Sequence, residues 1–223
     1  MQGICFKEPL FHASIERRKN QTRRITAPQP DTIRHYADND GPYLDGVNNS
    51  RLMADGKILK PRYKVGEVVY LKEPYQLVSR GPGVYEVHYM FGGEPKLIDV
   101  TELMIPPIKI ANIFSQQSRS KNGYANKLFM PEWAARYFIQ MTAICSERLQ
   151  DISNEDCIKE GIIEGACSGG TFWGVRLTDG KYISYSDTPR EAYATLIDKI
   201  NGKSTWDSNP FVWVYDYKIT EKP

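Results

Sequence analysis

From Pro210 to Ile219 the chain alternates strictly, with Phe211, Trp213, Tyr215, Tyr217 and Ile219 on one face and Asp216 and Lys218 on the other at the end of the run. Successive side chains of a strand point to opposite sides of a sheet, so this spacing specifies a strongly aromatic strand with a buried face. Such a strand is marginal by itself, and partners must come from elsewhere in the chain. Three other segments qualify: Val65–Tyr75, Val84–Phe91 between glycine turns, and Phe138–Cys145 with Ile139, Met141, Ala143 and Cys145 on one face. The first two are expected to form a hairpin. A short first strand is expected over residues 2–6, and Leu103–Phe114, interrupted by Pro106 and Pro107, reads as an edge strand or irregular crossover.

Helices are few and short. Pro9 opens one helix, and Pro131–Arg136 reads as a single helical turn. Ser153 caps a compact helix that Gly161 stops, and Pro189–Ile200 carries the stripe Ala192, Leu196 and Ile200 before Gly202. Strands and helices do not alternate regularly. The expected class is therefore α+β, a small, mostly antiparallel barrel with peripheral short helices, rather than a doubly wound sheet. One domain is expected over residues 1–223. Two stretches rich in turn residues interrupt it, at about 27–62 (with the DNDGP and VNNSR signals) and at 163–187, which holds five glycines and is expected to include a small hairpin.

The stretch Lys19, Asn20, Gln21, Thr22, Arg23, Arg24 bears most directly on function. Read as a helix from Pro9, Phe11 and Ile15 stand four apart, and the same face continued lands on Lys19 and Thr22. An inward stripe would then end in an amine and a hydroxyl, and a buried ammonium is costly unless paired or made less basic. The alternative is a solvated helix end, where cations complement the macrodipole. A second irregularity is Glu160, an acid in the last turn of the helix capped by Ser153, where it opposes the macrodipole. Glu73 falls on the Val69 and Leu71 face of its strand, so its carboxylate looks either into the interior or out at the strand end.

The net charge of +2 means that any nucleic-acid contact must come from a local patch. Arg17 at the first helix, and Arg119 and Lys121 in a polar loop over Gln116–Lys127, are candidates for phosphate contacts. The four cysteines and three histidines lack metal-ligand spacing, so neither metal nor cofactor is expected, and the thiols are expected to be reduced. No apolar run reaches membrane-spanning length and no signal-type segment opens the sequence, which sets the expectation of a cytoplasmic protein without membrane attachment or obligate protein partner.

Taken in order, these segments resemble the ASCH domains of the PUA-like superfamily, especially variants found in phages and prophages. The resemblance rests on Arg18–Arg24, Tyr63–Glu73, Met130–Arg136, Glu147–Ile162, Ile200–Lys203, Trp206–Asp207 and Asn209–Tyr215. It implies a PUA-like β-barrel and a role in handling RNA, modified bases or nucleosides, with RNA favoured over DNA. Small ASCH members include amidohydrolases that remove the acyl group from acetylated cytidine using a lysine, a threonine and a glutamate. Carried over by motif, these are Lys19, Thr22 and Glu160; independently of the motif, Arg23, Arg24, Glu73 and Tyr70 are candidate substrate contacts. Where the family commonly has Thr after the lysine, this chain has Asn20, and minimal hydrolases lack the two insertions. Other ASCH members are described as ribonucleases or have no known activity. Three readings stand: an amidohydrolase, a non-catalytic RNA, DNA or modified-base binding module, and a ribonuclease.

Overall fold

The first residues form a short strand, β1 (Gly3–Cys5), and Pro9 falls in the first turn of α1 (Glu8–Ile15), where its missing N–H costs no hydrogen bond. After α1 come β2 (Gln21–Ile25), β3 (Thr32–His35), β4 (Ser50–Ala54), β5 (Lys57–Ile58), β6 (Val68–Lys72), β7 (Tyr75–Gly81), β8 (Val84–Tyr89) and β9 (Lys96–Asp99). The second half holds α2 (Pro107–Arg119), β10 (Phe138–Arg148), α3 (Asn154–Lys159), β11 (Ile163–Cys167), β12 (Gly170–Gly174), α4 (Pro189–Asn201), α5 (Thr205–Ser208) and β13 (Phe211–Thr220). The structure is a computed structural model and describes residues 1–35 and 50–223. The class is α+β with mostly antiparallel pairing, and among the described residues no sheet closes into a barrel.

Two compact units divide the chain. Unit one comprises Met1–Glu8, Val68–Ile139 and Thr220–Pro223. In it β1 runs parallel to β6, with Ile4 opposite Leu71, while β7, β8 and β9 form an antiparallel meander. Tyr75, Leu77, Val87, Tyr89 and Ile98 from the meander pack with Ile110 and Ile113 of α2. Gln117 extends that helical stripe, and its amide both accepts from Leu77 N–H (2.9 Å) and donates to Leu77 C=O (3.2 Å).

Three expectations fail in this unit. Leu103–Phe114 is no edge strand: Pro106 and Pro107 initiate α2 instead, because proline at the first helical position has no hydrogen bond to lose and Ile110, Ile113 and Gln117 then share a face. The loop expected over Gln116–Lys127 is helical as far as Arg119. The hairpin partner of β8 is β7, beginning at Tyr75, while β6 pairs with β1. The polar Gln76, Ser79 and Arg80 thin the alternation of β7, which hid it from a reading by hydrophobic period.

Unit two comprises Pro9–Glu67 and Gln140–Ile219. Here β13 lies between β10 and β2, and it pairs antiparallel with β2 so that Tyr215 faces Thr22 and Asp216 faces Gln21. The aromatic strand expected from Phe211 onward is present and buried through Tyr217 except at Asp216. Ser153 accepts from the Asp156 N–H at the start of α3, and Thr188 with Glu191 forms a reciprocal cap on α4. A small hairpin, β11 with β12, occupies the second insertion. The first insertion carries the antiparallel strands β3, β4 and β5. Its DNDGP turn signal lies outside the described residues, as does most of VNNSR.

Candidate functional site

Lys19 reaches its place by a route other than helical continuation. The helix stops at Ile15, and Arg17 adopts a left-handed conformation (φ 60°) that closes it. The N–H groups of Arg18 and Lys19 both donate to the Ala13 carbonyl at 2.8 Å, turning the chain back on itself. Asn20 is then held by its backbone: its N–H donates to Lys159 C=O at the end of α3 (2.9 Å), and its C=O accepts from Tyr217 N–H on β13 (2.8 Å). This clasp sets Lys19 against the C-terminus of α3. There Gly161 takes φ +100°, a region L side chains rarely adopt, and lets the chain leave the helix beside Lys19.

The Lys19 side chain is 1% exposed, and its Nζ donates to Glu160 Oε2 at 2.5 Å, to the Gln21 carbonyl at 2.6 Å and to the Glu160 carbonyl at 3.1 Å. Three acceptors match the three protons of an ammonium. Glu160, 4% exposed, is also approached by Arg23 Nη1 at 3.3 Å. Burial lowers the Lys19 pKa, the Glu160 carboxylate opposes that shift, and the Arg24 and Arg23 guanidiniums reinforce it. The amine is thus less basic than an ordinary lysine despite its partner.

Arg23 anchors a wider charged cluster. It donates through Nε to Glu147 (2.7 Å), through Nη2 to Asp156 (3.3 Å) and through Nη1 to the Gln21 side chain, and Gln21 in turn donates to Asp216 (2.7 Å). Desolvation would lower the Arg23 pKa, but Glu160 and Glu147 among others more than offset it, and the guanidinium is held above its usual value. Glu147 is pushed up by burial, with Arg23 pulling it back.

Gln21 and Arg23 share one side of β2, and by strand alternation Thr22 and Arg24 share the other. Thr22 is buried in register with Tyr215. Tyr215 feels the Arg24 charge, and so does Tyr217, whose hydroxyl meets Ser14 Oγ at 2.8 Å. The Lys19 to Thr22 spacing therefore does not set the amine and the hydroxyl on one helical face: Thr22 lies on the side of β2 opposite Gln21 and Arg23.

The structure thus joins Lys19 and Arg23 through Glu160 and sets Thr22 and Arg24 on the opposite side of β2 from Arg23. Arg17 is exposed at the end of α1. The remaining candidates belong to unit one. Glu73 is fully buried and receives a two-pronged ion pair from Arg136, Nε to Oε1 and Nη2 to Oε2, each at 2.8 Å. Burial raises its pKa and Arg136 opposes the rise. Arg136 itself stacks on Tyr89, 4.0 Å from the ring centre, and lies 5.0 Å from that of Tyr137. Tyr70 is a core residue whose hydroxyl donates to the Met130 carbonyl (2.9 Å). Arg119 and Lys121 are exposed at and after the end of α2.

Reading the sequence missed Glu147, Asp156 and Gln21 as partners of Arg23, Asp216 as a partner of Gln21, and Arg136 as the partner of Glu73. It also passed over Tyr193 on α4. That side chain is buried close enough to Glu160 and Arg23 to feel their charges, and its hydroxyl has no hydrogen-bond partner among the described residues. Only Tyr193 carried a signal, since it lies beside the Ala192 and Leu196 stripe of α4. Among the described residues no group of three or more His, Cys, Asp or Glu side chains is arranged to hold a metal ion, and no helix is long and apolar enough to cross a membrane. Comparison with family models, with curated proteins and with solved structures gave no match.

Proposed function

We propose that this chain is an ASCH-type amidohydrolase that removes an acyl group from a modified nucleoside or base, with Lys19, Thr22 and Glu160 as its catalytic set. The observation that carries this reading is the buried Lys19–Glu160 contact at 2.5 Å, in which burial weakens the basicity of the amine. A proton passing from Lys19 to Glu160 along that contact leaves a neutral amine and a neutral acid without changing the charge of the site. The amine then takes the Thr22 hydroxyl proton as Thr22 Oγ attacks the acyl carbon. Arg24, on the Thr22 side of β2, stabilises the oxyanion. When the C–N bond breaks, Glu160 gives its proton to the leaving amine. Water then cleaves the acyl-threonine ester, its proton going to the Glu160 carboxylate, and Lys19 returns its proton to Thr22.

The test is hydrolysis of N4-acetylcytidine, followed chromatographically as cytidine. The wild-type chain is expected to release cytidine and acetate, and Thr22→Val, which keeps the shape and removes the hydroxyl, is expected to release none above background. Unchanged turnover in Thr22→Val overturns the nucleophile assignment.

A second reading is favoured by a specific observation: the Lys19 amine already has three acceptors, as a permanent structural ammonium would. On that reading the chain is a non-catalytic binding module for RNA or a modified base, with Arg17, Arg119 and Lys121 supplying phosphate contacts. Salt-dependent RNA binding by a wild-type chain that leaves N4-acetylcytidine intact selects it.

A further inference from the structure

Unit two holds a cavity of about 270 Å³ lined by Pro9, His12, Glu16, Arg18, Arg176, Leu177 and Thr178. One wall is the outer side of α1: Pro9, His12 and Glu16 recur at helical spacing, opposite the buried Leu10, Phe11, Ala13 and Ser14. The other wall comes from the second insertion. It is fixed by a tight turn in which Leu177 N–H donates to Lys181 C=O (2.7 Å) and Gly180 N–H to Leu177 C=O (3.1 Å), while Arg176 is bridged to Tyr182.

The lining is unequal in charge. Glu16 is engaged by Arg18, whose Nε and Nη2 both donate to Oε2 at 2.8 and 2.5 Å, so its carboxylate is neutralised in place. Arg176 is exposed and has no ion pair among the described residues, and Arg18 keeps an Nη1 group outside its pair with Glu16. A guanidinium presents donors in a planar fork that matches a phosphate, and Thr178 and His12 add polar groups beside it. Pro9 and Leu177 supply apolar wall. The volume is just below the range of drug-sized ligand pockets, about 300 to 1,000 Å³, which suits a ligand as small as a phosphate group.

We infer that this cavity binds a phosphate group, carried by a small phosphomonoester such as a nucleoside monophosphate or present as free phosphate, with Arg176 as its principal anchor. The site is separate from Lys19, so the inference stands or falls independently of the acyl-nucleoside hydrolysis above. It also gives the second insertion a role, since Arg176, Leu177 and Thr178 all belong to it.

The experiment is calorimetric titration of the full chain with inorganic phosphate, cytidine 5′-monophosphate and cytidine. Saturable binding of phosphate and of the monophosphate is expected, with phosphate displacing the monophosphate. Arg176→Ala is expected to weaken both at least about tenfold with an unchanged melting temperature, because the side chain is exposed and unpaired there. Arg176→Glu should abolish both. A monophosphate that binds tighter than phosphate identifies the phosphomonoester as ligand, and equal affinities identify the free anion. Absence of saturable phosphate binding, or affinities that are the same in Arg176→Ala, overturns the assignment.

Discussion

Replacing Glu160 with glutamine removes one negative charge from a site where Lys19 lies 2.5 Å away and Arg23 3.3 Å away, while preserving shape. Breaking a buried ion pair by neutralising one partner costs about 3 to 5 kcal/mol, because the remaining charge has lost its compensation. For a chain of this size about 1 kcal/mol corresponds to roughly 2–4 °C, so the melting temperature should fall by about 6–20 °C. The cost has a pH signature. Lys19 already has a lowered pKa through burial, and loss of Glu160 lowers it further, so the native state sheds the Lys19 proton before the unfolded state does. Stability in the variant should therefore rise with pH from the lowered native value towards the unfolded one, and the deficit relative to wild type should shrink in that window. Denaturant melts at about pH 6 and about pH 9 measure both effects. Adding Lys19→Met to Glu160→Gln should recover most of the loss, since the orphaned ammonium is then gone. A deficit under about 1 kcal/mol at both pH values, with no recovery in the double variant, would refute the reasoning.

Other consequences can be checked separately. Arg136→Ala leaves the fully buried Glu73 without its guanidinium, and should cost about 3 to 5 kcal/mol near neutral pH; the loss should fade in acid, because burial favours the protonated carboxyl. Burial pushes the Tyr215 phenol up to about 12 and raises those of Tyr75, Tyr89, Tyr193 and Tyr217 as well. The stability these neutral phenols contribute is complete below the unfolded tyrosine pKa of about 10 and is lost as pH rises through the native values, so absorbance titration should show them ionising together with alkaline unfolding. Thiol labelling at about pH 8 should modify the exposed Cys167 first; Cys157, buried and pushed up to about 12, should react only on unfolding.

Lys19 and Glu160 were both legible as local violations, a lysine where an apolar stripe should continue and an acid at the wrong end of a helix. Their meeting across 141 residues was not legible without a resemblance to guide it. The geometric route was also misread: helical periodicity carried the stripe through Lys19, whereas the helix ends at Ile15 and a left-handed Arg17 with the Asn20 clasp turns the lysine inward. Single-residue backbone reversals at a non-glycine position leave little trace in composition. The partner of Gln21 depends on strand register, which places Asp216 opposite it, and that of Arg23 on the β10 side chain of Glu147; neither follows from spacing within one segment. Glu73 shows the same limit. Alternation pointed its carboxylate inward, but Arg136, 63 residues away, was invisible until the chain had folded. Strong caps and long periodic runs, as in α3, α4 and β13, were readable because each is specified within a dozen residues or so.

The central claim is that the buried Lys19–Glu160 pair works on a substrate rather than only holding the fold. Its most direct test is the rate of cytidine release from N4-acetylcytidine by wild type and by Lys19→Met, measured below the melting temperature of the variant so that both chains are folded. The account predicts measurable hydrolysis by wild type and a fall of about 10²–10⁴-fold in Lys19→Met. Equal rates in the two folded chains, or no hydrolysis by the wild type, would contradict it.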